Sequence, residues 1–202
     1  MHSTKNVAAA VALSVAGLLA VSGAAHAGAY PTNTCVSSKQ KAAGKFCSSA
    51  AKAWSKFHAN PAADPGGTAR DAAIGDARNA LDAAWLKAEE KATKKNVDCA
   101  VTTVDGSTAG ADLEAALSAI QADITATLDT TGSSDDASCA SKIIGAAGKL
   151  CSGILKAESK HIKSLAKDPT GDGLDAGIQK AVDKFNSVYA SASATCAGTP
   201  TG

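Results

Sequence analysis

The sequence predicts an all-α protein, a disulfide-stapled helical bundle made from a tandemly duplicated antiparallel helical hairpin plus one linking helix. Three observations carry that expectation. Apolar residues recur at helical spacing through most of the chain. Residues 35–85 lie on residues 139–189 without a gap, and 20 of the 51 positions are identical. Six cysteines divide three and three between the two halves: Cys35, Cys47 and Cys99, then Cys139, Cys151 and Cys196. A regular offset of this kind points to internal duplication.

Residues 1–27 read as a secretory signal peptide. Lys5 precedes an apolar run from Val7 to Val21, and Ala25-His26-Ala27 forms a small-x-small cleavage site. The run is about 15 residues, short of the ~20 that span a bilayer. No later stretch is long or apolar enough to span, so no transmembrane segment is expected after signal removal. The first cysteine, Cys35, does not directly follow the cleavage site, which argues against a bacterial lipid anchor. The mature chain is then 175 of the 202 residues.

Residues 28–99 form the first predicted hairpin. Phe46, Ala50, Trp54 and Phe57 share one helical stripe. "DPGG" at 64–67 stops that helix, because proline cannot continue it and glycine suits a turn. A second helix is expected from Thr68, with Asp71 in its first turn, where an acid favours the dipole. Its stripe is Ile74, Ala77, Leu81 and Trp85. Residues 100–138 are a linker with one helix, striped by Leu113, Leu117, Ile120, Ile124 and Leu128. "DTTGSSDDAS" at 129–138 reads as a polar connection. Val101–Val104 is too short to imply a sheet.

Residues 139–202 are the second hairpin. Ile143, Ala147, Leu150, Ile154 and Ala157 stripe its first helix, and "DPTG" at 168–171 supplies the turn. Asp172 and Asp175 match the expected cap of the next helix, and Ile178, Ala181, Phe185 and Tyr189 stripe it. The tail from Ala197 is expected to fray.

Six cysteines allow fifteen connectivities, and seven respect the duplication. In an antiparallel hairpin the start of one helix lies beside the end of the next. This places Cys35 by Cys99 and Cys139 by Cys196. Cys47 cannot reach Cys35, since twelve helical residues span ~18 Å and a disulfide needs Cα atoms roughly 4.4–6.8 Å apart. Cys47 and Cys151 remain and are predicted to bond each other. "AAGKFC" at 42–47 and "AAGKLC" at 146–151 put Gly44 and Gly148 three residues before these cysteines, on the same face. Mid-helix glycine costs ~1 kcal/mol relative to alanine. Either the two glycines let backbones approach, or they are inherited from the duplication.

Outside the signal segment 19 basic residues balance 19 acidic ones, so the basic excess of a nucleic-acid binder is missing. Basic and acidic residues are interspersed along the helical stretches and read as a solvated surface. An even cysteine count in an exported chain argues for disulfides, and no C-x-x-C motif suggests redox chemistry. His58 and His161 are weak metal candidates, one position out of register between the repeats. No metal or other cofactor is expected. No G-x-S-x-G, S-x-x-K or phosphate-loop motif occurs. Trp54, Trp85, Phe185 and Tyr189 are the large anchors, expected in the core or at a partner or ligand contact. Trp54 aligns with Glu158, which singles it out as a candidate partner contact.

"CVSSKQKAAGKFCSSAAKAWSKF", with its counterpart "CASKIIGAAGKLCSGILKAESKH", resembles the C-x3-K-x-KAAGK pattern of exported, alanine- and lysine-rich bacterial proteins whose helices carry regularly spaced cysteines. The resemblance covers about 25 residues per repeat. It implies a secreted or periplasmic bacterial protein and brings no activity or site residue with it. The expectation is an exported non-catalytic protein, structural or partner-binding. The alternatives are a carrier for a small apolar ligand, with a cavity between the hairpins, and an enzyme without a recognisable motif.

Overall fold

A computed structural model describes residues 33–97, 99 and 105–196. The predicted signal peptide, the Val101–Val104 run and the tail from Ala197 lie outside the described residues. Five α-helices follow in order: α1 Thr34–Ala59, α2 Thr68–Lys94, α3 Gly106–Thr127, α4 Ser134–Lys163 and α5 Asp172–Ser193. Short 3-10 turns at Pro61–Ala63 and Leu165–Lys167 follow α1 and α4. No strand occurs among the described residues.

Each helix start has a local cause. The Asn33 side chain opens α1 by accepting from Cys35 N at 2.9 Å and Val36 N at 3.0 Å. Asp105 accepts from Thr108 N at 2.7 Å to open α3, and its carboxyl is held below the usual range by that bond and by Ser107. Ser133 accepts from Asp136 N at 3.2 Å to open α4. This helix therefore takes in the second half of the stretch expected to be a polar connection, with Asp135 and Asp136 in its first turn.

The two hairpin turns correct the capping expected from sequence. The residue before α2 is Gly67 and the residue before α5 is Gly171, with φ +69° and +82°. This left-handed conformation suits glycine, and neither has a side chain to cap with. The cap comes from three residues earlier. Asp64 accepts from Ala69 N at 3.1 Å and Arg70 N at 3.0 Å. Asp168 accepts from Gly173 N at 3.0 Å and Leu174 N at 3.1 Å. Asp71, Asp172 and Asp175 stand in the first turns, where they complement the dipole without capping.

Packing starts from α1 and α4, which run antiparallel at the centre of the bundle. Cys47 and Cys151 are joined there, with Cα atoms 6.0 Å apart. On one side of this bridge Ser37 Oγ donates to Ser159 O and Ser159 Oγ to Ser37 O, each at 2.8 Å. On the other side the Ser55 and Ser141 hydroxyls meet at 3.0 Å. Adding 104 to Ser37 gives Ser141, and adding it to Ser55 gives Ser159. The two serine contacts thus exchange under the sequence offset, and the disulfide maps onto itself. The α1–α4 crossing has approximate two-fold symmetry about that bridge.

α2 and α5 flank this pair, each folded back on its own partner. Cys35–Cys99 closes the first hairpin with Cα atoms 5.7 Å apart, and Cys139–Cys196 closes the second at 5.6 Å. α3 lies across both. Its Leu113 and Leu117 join Phe46, Ile74, Leu81 and Trp85. Its Ile120 and Ile124 join Ile143, Ile144, Leu150 and Phe185. Trp54 packs against both clusters and so stitches them into one core. Alanine fills much of the remaining interior, leaving little large apolar area per residue. Three bridges at ~2–4 kcal/mol each are a large addition for such a core.

The two paired glycines do unequal work. A Cβ on Gly148 would collide with the Ala51 methyl and lie 3.0 Å from the Cys47 carbonyl. At Gly44 the nearest atoms would be 3.4 Å away, on Leu155 and Ser152. Close approach is therefore strict at Gly148 and slack at Gly44.

Candidate functional site

The aromatic anchors divide between two environments. On the first hairpin Trp54 stacks on His58 at 5.9 Å and meets Phe57 edge-on at 6.0 Å. The Arg70 guanidinium caps this group, 4.2 Å from the Trp54 ring centre and 4.6 Å from Phe57. Such a cation over two ring faces is attractive and excludes water. Trp54 is half-buried beneath Arg70. Trp85 is buried, with the Lys39 ammonium 4.8 Å from its ring centre. Lys39 itself is only 2 % exposed and pairs with Glu89 at 2.7 Å. On the second hairpin Tyr189 stacks on Phe185 at 5.8 Å.

The two histidines do not converge. His58 lies near the end of α1 and His161 near the end of α4. Because these helices are antiparallel, the rings sit at opposite ends of the molecule. No group of metal-ligating side chains forms among the described residues. His58 is 1 % exposed, and its Nε2 has no hydrogen-bond partner among the described residues. Burial pushes its pKa down from 6.5, and Arg70 adds to the effect. His161 instead reaches Asp168 Oδ2 at 3.1 Å. The Asp168 carboxyl is held below its usual range by the Gly173 N–H first, with His161 and Leu174 adding.

A groove of 890 Å³ opens between α4 and α5. Leu150, Gly153, Ala157, Ala181, Phe185 and Val188 are among the residues that form its apolar floor. The floor is shaped by glycine: a Cβ on Gly153 would meet Ala181 at 2.7 Å, and one on Gly177 would meet Ala157 at 2.8 Å. The rim is basic. Lys149, Lys156 and Lys160 line it from α4, and Lys180 and Lys184 from α5. None of the five is ion-paired among the described residues. The one acid on the lining, Asp168, is already engaged by the α5 backbone and by His161.

This groove lies within the second hairpin, not between the hairpins. Of the three anchors Trp85, Phe185 and Tyr189, only Phe185 lines it. In the first hairpin the three α4 lysines have counterparts at Lys45, Lys52 and Lys56, but the two α5 lysines and the two floor glycines have none. Asp76 and Ala80 stand where the second has Lys180 and Lys184, and Ser49 and Ala73 where it has Gly153 and Gly177. Reading the charges as evenly interspersed missed this concentration. The signal was in the departures from the 104-residue offset: Lys180, Lys184, Gly153 and Gly177 have no lysine or glycine counterpart in the first hairpin.

No protein-family model, curated protein or solved structure matches this chain.

Proposed function

We propose that the chain is an exported, non-catalytic helical module built from a duplicated hairpin, and that it works by holding an acidic partner in the α4–α5 groove. The observation that carries this is the rim of five unpaired lysines over an apolar floor. Lysine is strongly hydrated, and its ammonium groups gain from an anionic occupant that replaces part of that water. Export is supported by the signal-like residues 1–27, by the pairing of all six cysteines, and by the resemblance to exported alanine- and lysine-rich bacterial proteins. No helix among the described residues is long and apolar enough to cross a membrane. A non-catalytic role is supported by the same pairing, which leaves no thiol nucleophile. The groove's one acid–histidine pair is spent on a helix cap.

The test is titration of the oxidised protein with poly-L-glutamate at low ionic strength. Saturable binding that K149E/K160E abolishes supports the reading. Equal binding by both proteins, or none, defeats it. A second reading, a carrier for a small amphiphile, is favoured by the groove volume, which falls within the ~300–1,000 Å³ of ligand pockets. Native mass spectrometry of protein purified from its own host separates the two, because a carrier retains a small mass increment.

A further inference from the structure

The groove's occupant can be read from the chain itself. Residues 105–138 contain seven acids and no lysine, arginine or histidine. α3 is the helix of this segment. Its inner face is buried, while Ala111, Ala115, Ala119, Ala122 and Ala126 are exposed in one stripe. Asp112 and Asp123 flank the stripe on one side, and neither carboxylate has an ion-pair partner among the described residues. Glu114, which pairs with Arg78, is on the other flank.

We infer that α3 of one molecule docks in the α4–α5 groove of a second copy, resting on the reading of that groove as a partner surface. The match has three parts. The signs are opposite, with unpaired carboxylates against five unpaired ammonium groups. The spacing agrees: Asp112 to Asp123 and Lys149 to Lys160 are each 11 residues, about three helical turns or ~16 Å. The apolar surfaces also match, an alanine stripe against a floor in which Gly153, Ala157, Gly177 and Ala181 lie among Leu150, Phe185 and Val188.

The contact must be between molecules. Within one chain Val182 and Tyr189 turn toward the cluster that holds Ile120 and Ile124. The groove opens on another side of α5, at Gly177, Lys180, Lys184 and Val188, with Ala181 and Phe185 between the two sides. A molecule's own α3 is therefore anchored away from its own groove. Joining one surface to a different surface on the next copy makes a heterologous interface, which yields a ring or an extending chain of molecules.

The experiment is sedimentation velocity of the oxidised full-length mature chain across ionic strength. Self-association is expected at about 0.01 M salt, where the Debye length is ~30 Å, and its loss at about 1 M, where the length is ~3 Å. The groove variant K149E/K160E and the helix variant D112K/D123K should each associate on the order of tenfold more weakly or not at all. An equimolar mixture of the two should associate again, because the unaltered groove of the helix variant then meets the unaltered α3 of the groove variant. Asp112, Lys149 and Lys160 are exposed and Asp123 is half-buried, so folding is checked by an unchanged far-UV spectrum. A chain that stays monomeric at every salt concentration, or a mixture that fails to associate, overturns the inference. If the wild type is monomeric yet still binds poly-L-glutamate, only the self-docking falls. If it does neither, the reading of the groove falls with it.

Discussion

Alanine at Gly148 should destabilise the protein, although alanine is the better helix former. The helix-propensity term favours the substitution by ~1 kcal/mol. Against it, the new methyl has no room. It would collide with the Ala51 Cβ and stand 3.0 Å from the Cys47 carbonyl. Neither neighbour is the tip of a flexible side chain, so α1 and α4 must move apart while the Cys47–Cys151 bridge holds them. Overpacking of this kind costs ~1–3 kcal/mol, and the rigid contact argues for the upper end. The net loss is then roughly 2 kcal/mol, or about 4–8 °C in Tm for a domain of this size. Two other glycines set the scale. At Gly75 a Cβ would meet nothing within 4 Å, so Gly75→Ala should gain nearly the whole ~1 kcal/mol. Gly44→Ala, with contacts at 3.4 Å, should lie close to neutral. The assay is guanidinium unfolding of the oxidised proteins followed by circular dichroism. G148A at least as stable as wild type would refute the close-packing argument. So would an A51G/G148A double variant showing no relief of the G148A penalty.

Other expectations follow from buried polar groups and from the bridges. Burial lowers the His58 pKa below its unfolded value of 6.5, so the unfolded chain binds the proton better. Its contribution is complete above about 6.5 and is lost as pH falls toward the lower folded value. His58→Leu should remove that part of the pH dependence of unfolding, and an unchanged profile would exclude His58 as its source. Glu158 has the opposite sign: burial raises its pKa from 4.5, so its contribution is complete below about 4.5 and is lost as pH rises through the folded value. Gln40 donates to it at 2.9 Å, while Gln40 Oε1 is buried without a partner. Glu158→Gln removes the charge and supplies a donor to that oxygen, and should stabilise by about 1 kcal/mol at pH 7; destabilisation in urea titrations would count against this. Replacing Cys47 and Cys151 together by alanine removes a bridge across 104 residues and should cost about 2–5 kcal/mol. A loss below the error of the unfolding measurement would mean that the serine contacts alone hold α1 on α4.

Much of the bundle was legible because its constraints are geometric. Fixed helix rise, a 104-residue offset and six cysteines were enough to place Cys35 by Cys99, Cys139 by Cys196 and Cys47 by Cys151, and these are the three pairs in the structure. The turns were less legible. Asp64 and Asp168 cap from across a left-handed glycine, a three-dimensional closure that a first-turn rule for acids does not see. Trp54 was singled out by its unmatched partner Glu158, but Arg70, sixteen residues away in sequence, folds over it. The groove was hidden for a different reason. Its lysines come from two helices, and charge read along one dimension averages them against neighbouring acids on other faces. Only the pairing of α4 with α5 gathers them.

The arrangement of the three bridges has a consequence for survival among proteases. Any peptide bond between Cys35 and Cys99 is spanned by the first bridge, and any between Cys139 and Cys196 by the third. The interval between, from Cys99 to Cys139, is spanned by Cys47–Cys151. A single backbone cut anywhere from Cys35 to Cys196 therefore releases no fragment. A molecule clipped once in any of its connecting loops remains one covalent body and changes its mobility on a gel only after reduction.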